Sequence, residues 1–235
     1  MATAPIPPSP TATAVPTTTD RPTSNWRAYL PATAAVTYVT AWVAGLAAWP
    51  VNLALNASAA QVTAAFRQHP AEAVIQLLLV EGLAGLLLGV VLAATLLRGP
   101  APIGRSLLPV ACGAVAVTTS LLQCVIGLML TTAAERHDRA RCGNLAALVN
   151  RLDGVKMLAL AVIAVWLVAA LIVPRWLRVV SALLAVTIAV SGCAYLALAN
   201  ALAWTAYISG PLLLAWVASL GVWVTRSRRR LPGPA

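Results

Sequence analysis

The chain reads as an all-α integral membrane protein, a bundle of about six transmembrane helices, and three observations lead to that class. Of its 235 residues, 60% are hydrophobic and only 9% are charged, whereas about 25% of an ordinary soluble domain is charged. Uncharged stretches recur at the length of a spanning helix, about 20 residues for roughly 30 Å of hydrocarbon. Aromatic residues gather at the ends of those stretches: Trp26 with Tyr29, Trp49, Trp176, Trp204 with Tyr207, and Trp223. That is the belt pattern of membrane interfaces.

Residues 1–24, "MATAPIPPSPTATAVPTTTDRPTS", have almost nothing to bury and are expected to be disordered. They lack the basic n-region and apolar h-region of a signal peptide. A membrane domain is expected over 25–225, with spans at 29–49, 73–97, 107–131, 157–174, 179–199 and 205–225. The fourth is the shortest, since the uncharged run between Lys156 and Arg175 gives only about 27 Å of helix. The uncharged run between Arg178 and Arg226 is too long for one crossing and suits two, joined by a turn near Asn200 to Trp204. Residues 226–235 form a basic tail.

The net charge of +10 raises nucleic acid as a partner, but the arginines flank apolar runs and are better explained by the positive-inside rule. No nucleic acid partner is expected. Arg226, Arg228, Arg229 and Arg230 read as an anchor for the lipid bilayer that meets anionic headgroups. With six spans both ends of the chain share a side. Placing them in the cytoplasm puts ten Lys and Arg inside and six outside, five of these in the loop 135–156. The expected location is the plasma membrane, and an Ala-rich chain with one lysine, Lys156, among its basic residues points to a bacterial genome.

Four cysteines, Cys112, Cys124, Cys142 and Cys193, form no Cys-x-x-Cys pair, and His69 and His137 fall in loops. Neither a disulfide-exchange site nor a bis-histidine haem site is present in that pattern, so no metal and no cofactor are expected. A serine with a buried histidine, or a cluster of aspartates for a metal, is equally lacking, and an enzyme is the least favoured class.

One ionisable residue stands inside an apolar run, in "QLLLVEGLAGLLLG". A carboxylate near the bilayer centre costs at least about 2.5 to 3.5 kcal/mol on insertion scales, so Glu81 needs a partner, a proton or water. Glu81, Gly85 and Gly89 recur at steps of four, and Gly85-x-x-x-Gly89 is a small-residue spacing for close helix packing, so Glu81 is expected to face protein. On the third span Thr119, Gln123, Gly127 and Thr131 make a similar stripe, which predicts a Glu81 to Gln123 hydrogen bond.

Further polar residues belong to the same half of the membrane: Asn150, Arg151, Asp153 and Lys156 at the mouth of the fourth span, with Asp153 as a helix cap, Tyr195 and Asn200 late in the fifth, and Tyr207 early in the sixth. Gly210 and Pro211 mark an expected kink, because proline leaves the carbonyl of Tyr207 unbonded. Two functions fit. In a small permease or proton-linked carrier, Glu81 would titrate with Lys156 or Arg151 as its charge partner. In a membrane scaffold or partner subunit, the same residues would only join helices, at about 0.6 kcal/mol each. Water access at Glu81 separates them.

The Pro-x-Trp-Leu turn at Pro174 to Leu177, the Ser-Gly-x-x-Tyr motif at Ser191 to Tyr195 and the Pro-Leu-Leu run starting at Pro211 resemble a class of small uncharacterised bacterial multi-pass membrane proteins over about residues 29–225. The resemblance implies a helical membrane bundle and carries no activity.

Overall fold

Six helices are long and apolar enough to cross a membrane: Tyr29–Ala48, Pro70–Leu96, Leu107–Glu135, Arg139–Ala169, Arg175–Ala197 and Asn200–Ser227. They are seen in a computed structural model that describes residues 26–97, 103–170 and 173–229, with side chains for 29–97, 107–170 and 173–227. The described residues contain helices and short connections and no strand. The protein is a multi-pass membrane protein of all-α class. The expected disorder of 1–24, and the side chains of Arg228, Arg229 and Arg230, lie outside the described residues.

Each span packs on its neighbours in sequence, and the first packs on the sixth, which closes a ring. The half in which the first span begins is here the lower half. It is filled by dry packing of Leu92, Leu160, Ile163, Leu184, Trp216 and Leu220, all 2% exposed or less. Ser181 fits there because its hydroxyl donates to the Leu177 carbonyl and accepts from the Trp216 indole at 2.9 Å. The outward faces carry exposed apolar side chains such as Val36, Leu86, Val125, Val165 and Val186. Lipid covers these in a bilayer, where no water competes for backbone hydrogen bonds.

The fourth span departs most from expectation. Its helix is Arg139–Ala169, not 157–174, so Asn150, Arg151, Asp153 and Lys156 lie within the helix and not at its mouth. Asp138 is the cap, accepting the Arg141 N–H at 3.0 Å, and Asp153 is not. The physical reason is that Arg139, Arg141 and Arg151 are each exposed, so their charge need not interrupt the helix. The third helix, Ile103–Glu135, is likewise longer than the bilayer is thick, about 50 Å at 1.5 Å per residue. Against these two upper ends packs a short helix, Ala59–Gln68, in what hydropathy left as a connection. Ser58 caps it with a reciprocal Ser58–Gln61 box, and its Val62 joins Leu130, Ala133 and Cys142 in a small second core.

The remaining boundaries move by a few residues. The second span starts at Pro70, the fifth helix is Arg175–Ala197, and the sixth is Ala206–Arg229 after a 3-10 turn at Asn200–Thr205. Asn200 therefore stands in the turn and not late in the fifth span. Arg226 stands on the last helix and not in a tail. That helix runs on through Pro211, and a Cβ at Gly210 would meet the Trp42 ring at 3.3 Å, so Gly210 serves close packing of the first and sixth spans.

Candidate functional site

The second span is not a uniform α-helix. Leu77–Leu83 is a π segment between α-helical Pro70–Gln76 and Ala84–Leu96, and Glu81 lies inside it. An i to i+5 bond puts an extra residue into the turn, and such segments are frequent at functional sites. Glu81 is 9% exposed. Its Oε2 accepts the Ser120 hydroxyl at 2.7 Å and the Lys156 ammonium at 2.8 Å. Lys156 Nζ also lies 2.7 Å from Asp153 Oδ1. One ammonium thus bridges two carboxylates from different spans. Of the two cations expected as partners, Lys156 fills the role and Arg151 is exposed.

The small-residue stripe does what its spacing implies. A Cβ at Gly85 would stand 2.8 Å from the Ser120 Cβ, and one at Gly89 would stand 3.0 Å from Val117. Glycine at 85 lets the third span come close enough for Ser120 to reach Glu81. The expected Glu81 to Gln123 bond is corrected: Gln123 instead turns to the fourth span, donating to the Val149 carbonyl at 3.1 Å and to Asp153 at 3.3 Å. Steps of four advance 400° around the helix, a drift of about 40° each time, so Thr119 to Thr131 wraps about a third of the way round. The residues that meet the second span are Val117, Ser120, Cys124 and Gly127, at alternating steps of three and four. That alternation, legible in the sequence, was the signal for Ser120. Among the described residues, Thr119 and Thr131 bond to carbonyls of their own helix.

The triad lines a cavity of about 210 Å³ at the centre of the ring, whose wall draws side chains from all six spans. Tyr38 and Trp42 come from the first, Tyr195 from the fifth and Ser209 from the sixth. Tyr38 is 3% exposed. Ser209, Ser191 and Thr205 form a chain of hydroxyls at 2.8 and 3.0 Å between the last two spans, which periodicity in the sequence gave no reason to single out. A second cavity of about 420 Å³ lies above, beneath residues 53–57 and beside the short helix, and Gln76 and Glu81 belong to both walls. The dry lower core ends this pair of cavities.

Asn200 and Tyr207 are not part of this centre. The Tyr207 hydroxyl accepts from Asn52 at 2.8 Å and its ring is exposed. Asn200 accepts the Leu55 N–H at 2.8 Å and donates to Asn56, while Asn150 donates to the Leu55 carbonyl at 3.2 Å. These amides pin the 50–57 segment over the upper cavity. Asn200→Ala is expected to cost about 1 kcal/mol and to speed limited proteolysis within 50–57. Unchanged cleavage there would show that the segment is held by other means.

No protein family, no curated protein and no solved structure matches this chain.

Proposed function

We propose that the protein is a small proton-linked carrier of the bacterial plasma membrane, with both termini cytoplasmic and Glu81 as the group that takes up and releases the proton. The observation that supports this reading best is the position of the Glu81–Lys156–Asp153 triad in the wall of a cavity closed below by packed side chains. Carrier sites sit near mid-membrane, beside a broken or irregular helix, with access to one side at a time. The π segment at Glu81 and the one-sided dry core fit that scheme. Lys156 is engaged by two carboxylates and no longer counts as a loop charge, which removes one of the cations that opposed this orientation. Arg226, with the arginines after it, meets anionic headgroups on the cytoplasmic face. Tyr207 takes no part in this scheme, because it is held at the surface by Asn52. On this proposal the chain is not an enzyme, and its motifs at 174–177, 191–195 and 211–213 resemble those of small uncharacterised bacterial multi-pass membrane proteins.

A second reading is a scaffold whose buried polar residues only join helices. The pairing of Glu81 Oε2 with both Ser120 and Lys156 favours it. Glu81→Cys in a cysteine-free background distinguishes the two. The carrier reading expects labelling by a membrane-impermeant thiol reagent from the upper side only. A folded variant that is labelled from neither side, yet reacts once denatured, would support the scaffold.

A further inference from the structure

The charges around the central cavity do not balance. Its titratable lining is Tyr38 from the first span, Glu81 from the second, Asp153 and Lys156 from the fourth and Tyr195 from the fifth; the third adds Ser120 and the sixth Ser209. Cys124 of the third span lies close enough to feel Glu81. Two carboxylates face one ammonium, which leaves one unit of formal negative charge inside the bundle, where a lone charge is costly. A cation or a proton is the natural complement, and an anion is repelled.

The rest of the wall selects among cations. Its two carboxylates are both engaged by Lys156, and no group of three or more His, Cys, Asp or Glu able to hold a metal ion occurs among the described residues, whereas calcium is held by six to eight oxygens, carboxylates prominent among them. Apolar side chains, Val80, Leu88, Leu160 and Ile188 among them, make up much of the surface. Tyr38, Trp42 and Tyr195 bring aromatic rings to the same space, and such rings attract ammonium groups placed over their faces. The buried Tyr38 side chain stands in the wall beside the triad. At about 210 Å³ the cavity has room for roughly seven waters at about 30 Å³ each. It is smaller than the roughly 300 to 1,000 Å³ of drug-sized sites.

We propose that this cavity binds a small organic cation, an amine or quaternary ammonium, which the aromatic rings contact while Glu81 and Asp153 supply its counter-charge. The inference rests on the carrier reading and deepens it. A proton held by the carboxylate pair leaves to solvent as the cation arrives, so charge at the site is conserved and the two ligands exclude each other. Lys156 holds the carboxylates in place in both conditions. The natural cycle is therefore exchange of a cation for a proton.

The test uses the full chain in detergent micelles with tetramethylammonium chloride as the probe, followed by calorimetry and by proton release into weak buffer. Saturable binding is expected, with release of protons and an apparent Kd that rises about tenfold per pH unit on the acid side, as competition with one proton requires. Glu81→Gln should abolish the proton release. Trp42→Leu, which leaves the triad intact, should weaken binding roughly 2- to 30-fold, the span of reported cation–π strengths. The proposal is overturned if the wild-type protein binds no tetramethylammonium, if uncharged tert-butanol binds as well, or if folded Glu81→Gln binds with undiminished proton release. Proteoliposomes separate the two readings. Binding in micelles without flux would keep this site and end the carrier, whereas proton-linked flux without tetramethylammonium binding would keep the carrier and end this site.

Discussion

Lys156→Met is expected to destabilise the bundle by about 3 to 5 kcal/mol, the range for breaking a buried ion pair by removing one partner. Either carboxamide change, Glu81→Gln or Asp153→Asn, should cost much less. The asymmetry follows from the geometry. Lys156 lies 2.8 Å from Glu81 and 2.7 Å from Asp153, so its loss strands two carboxylates in a low-dielectric place. Loss of either acid leaves a neutral pair of one ammonium and one carboxylate. Methionine keeps the length and apolar stem of lysine, so the effect reports charge and not a hole. The triple variant Lys156→Met, Glu81→Gln, Asp153→Asn should recover most of the loss, because no buried charge remains. Thermal unfolding of purified protein in one detergent measures all four. If Lys156→Met unfolds no earlier than Glu81→Gln, the triad is hydrated enough that its charges do not depend on one another.

Gly154→Ala is expected to be a strongly damaging single-methyl change, costing about 1 to 3 kcal/mol or more by overpacking. A Cβ there would stand 2.7 Å from the Gly192 carbonyl oxygen and 2.9 Å from the Leu196 nitrogen. Both are backbone atoms that no rotamer change can move. Gly154 and Gly192 mark the place where the fourth and fifth spans pass backbone to backbone, as small residues permit in membranes. Asp153 and Lys156 flank Gly154, so separating these helices also disturbs the triad. Gly113→Ala is the matched control, since its nearest neighbours stand 3.9 to 4.0 Å away and the change should be close to neutral. The same unfolding assay decides. Equal melting of the two variants would mean that the fourth and fifth spans can slide apart at little cost.

Much of the site was legible from residue chemistry. Glu81, Asp153, Lys156 and Tyr195 converge because an ionisable or hydroxyl group in a span must find protein or water, and only one interior was available. The route by which Glu81 is satisfied was not legible. Gln123 and Glu81 each stood on a stripe of polar and small residues, but a stripe does not fix the neighbour at which a side chain points. A π segment in one helix and the angular drift of a four-residue stripe in the other turned them apart, and Ser120 took the place of Gln123. Asn200 and Tyr207 were grouped with the site by height alone. They lie at that end of the ring, yet they hold a surface segment.

By itself the sequence determined the class of the protein and the number of its spans, and it singled out Glu81 as the residue of a candidate site. Hydrocarbon length, charge exclusion and the cost of a buried carboxylate act on each segment alone, and each is visible in one dimension. Tertiary structure decided where the fourth helix begins, which side chains face one another and that a cavity lies above a dry core. Those depend on helix rotation, on close approaches such as Gly154 to Gly192, and on the matching of charges carried by different spans. A chain read one segment at a time does not contain the distances between segments.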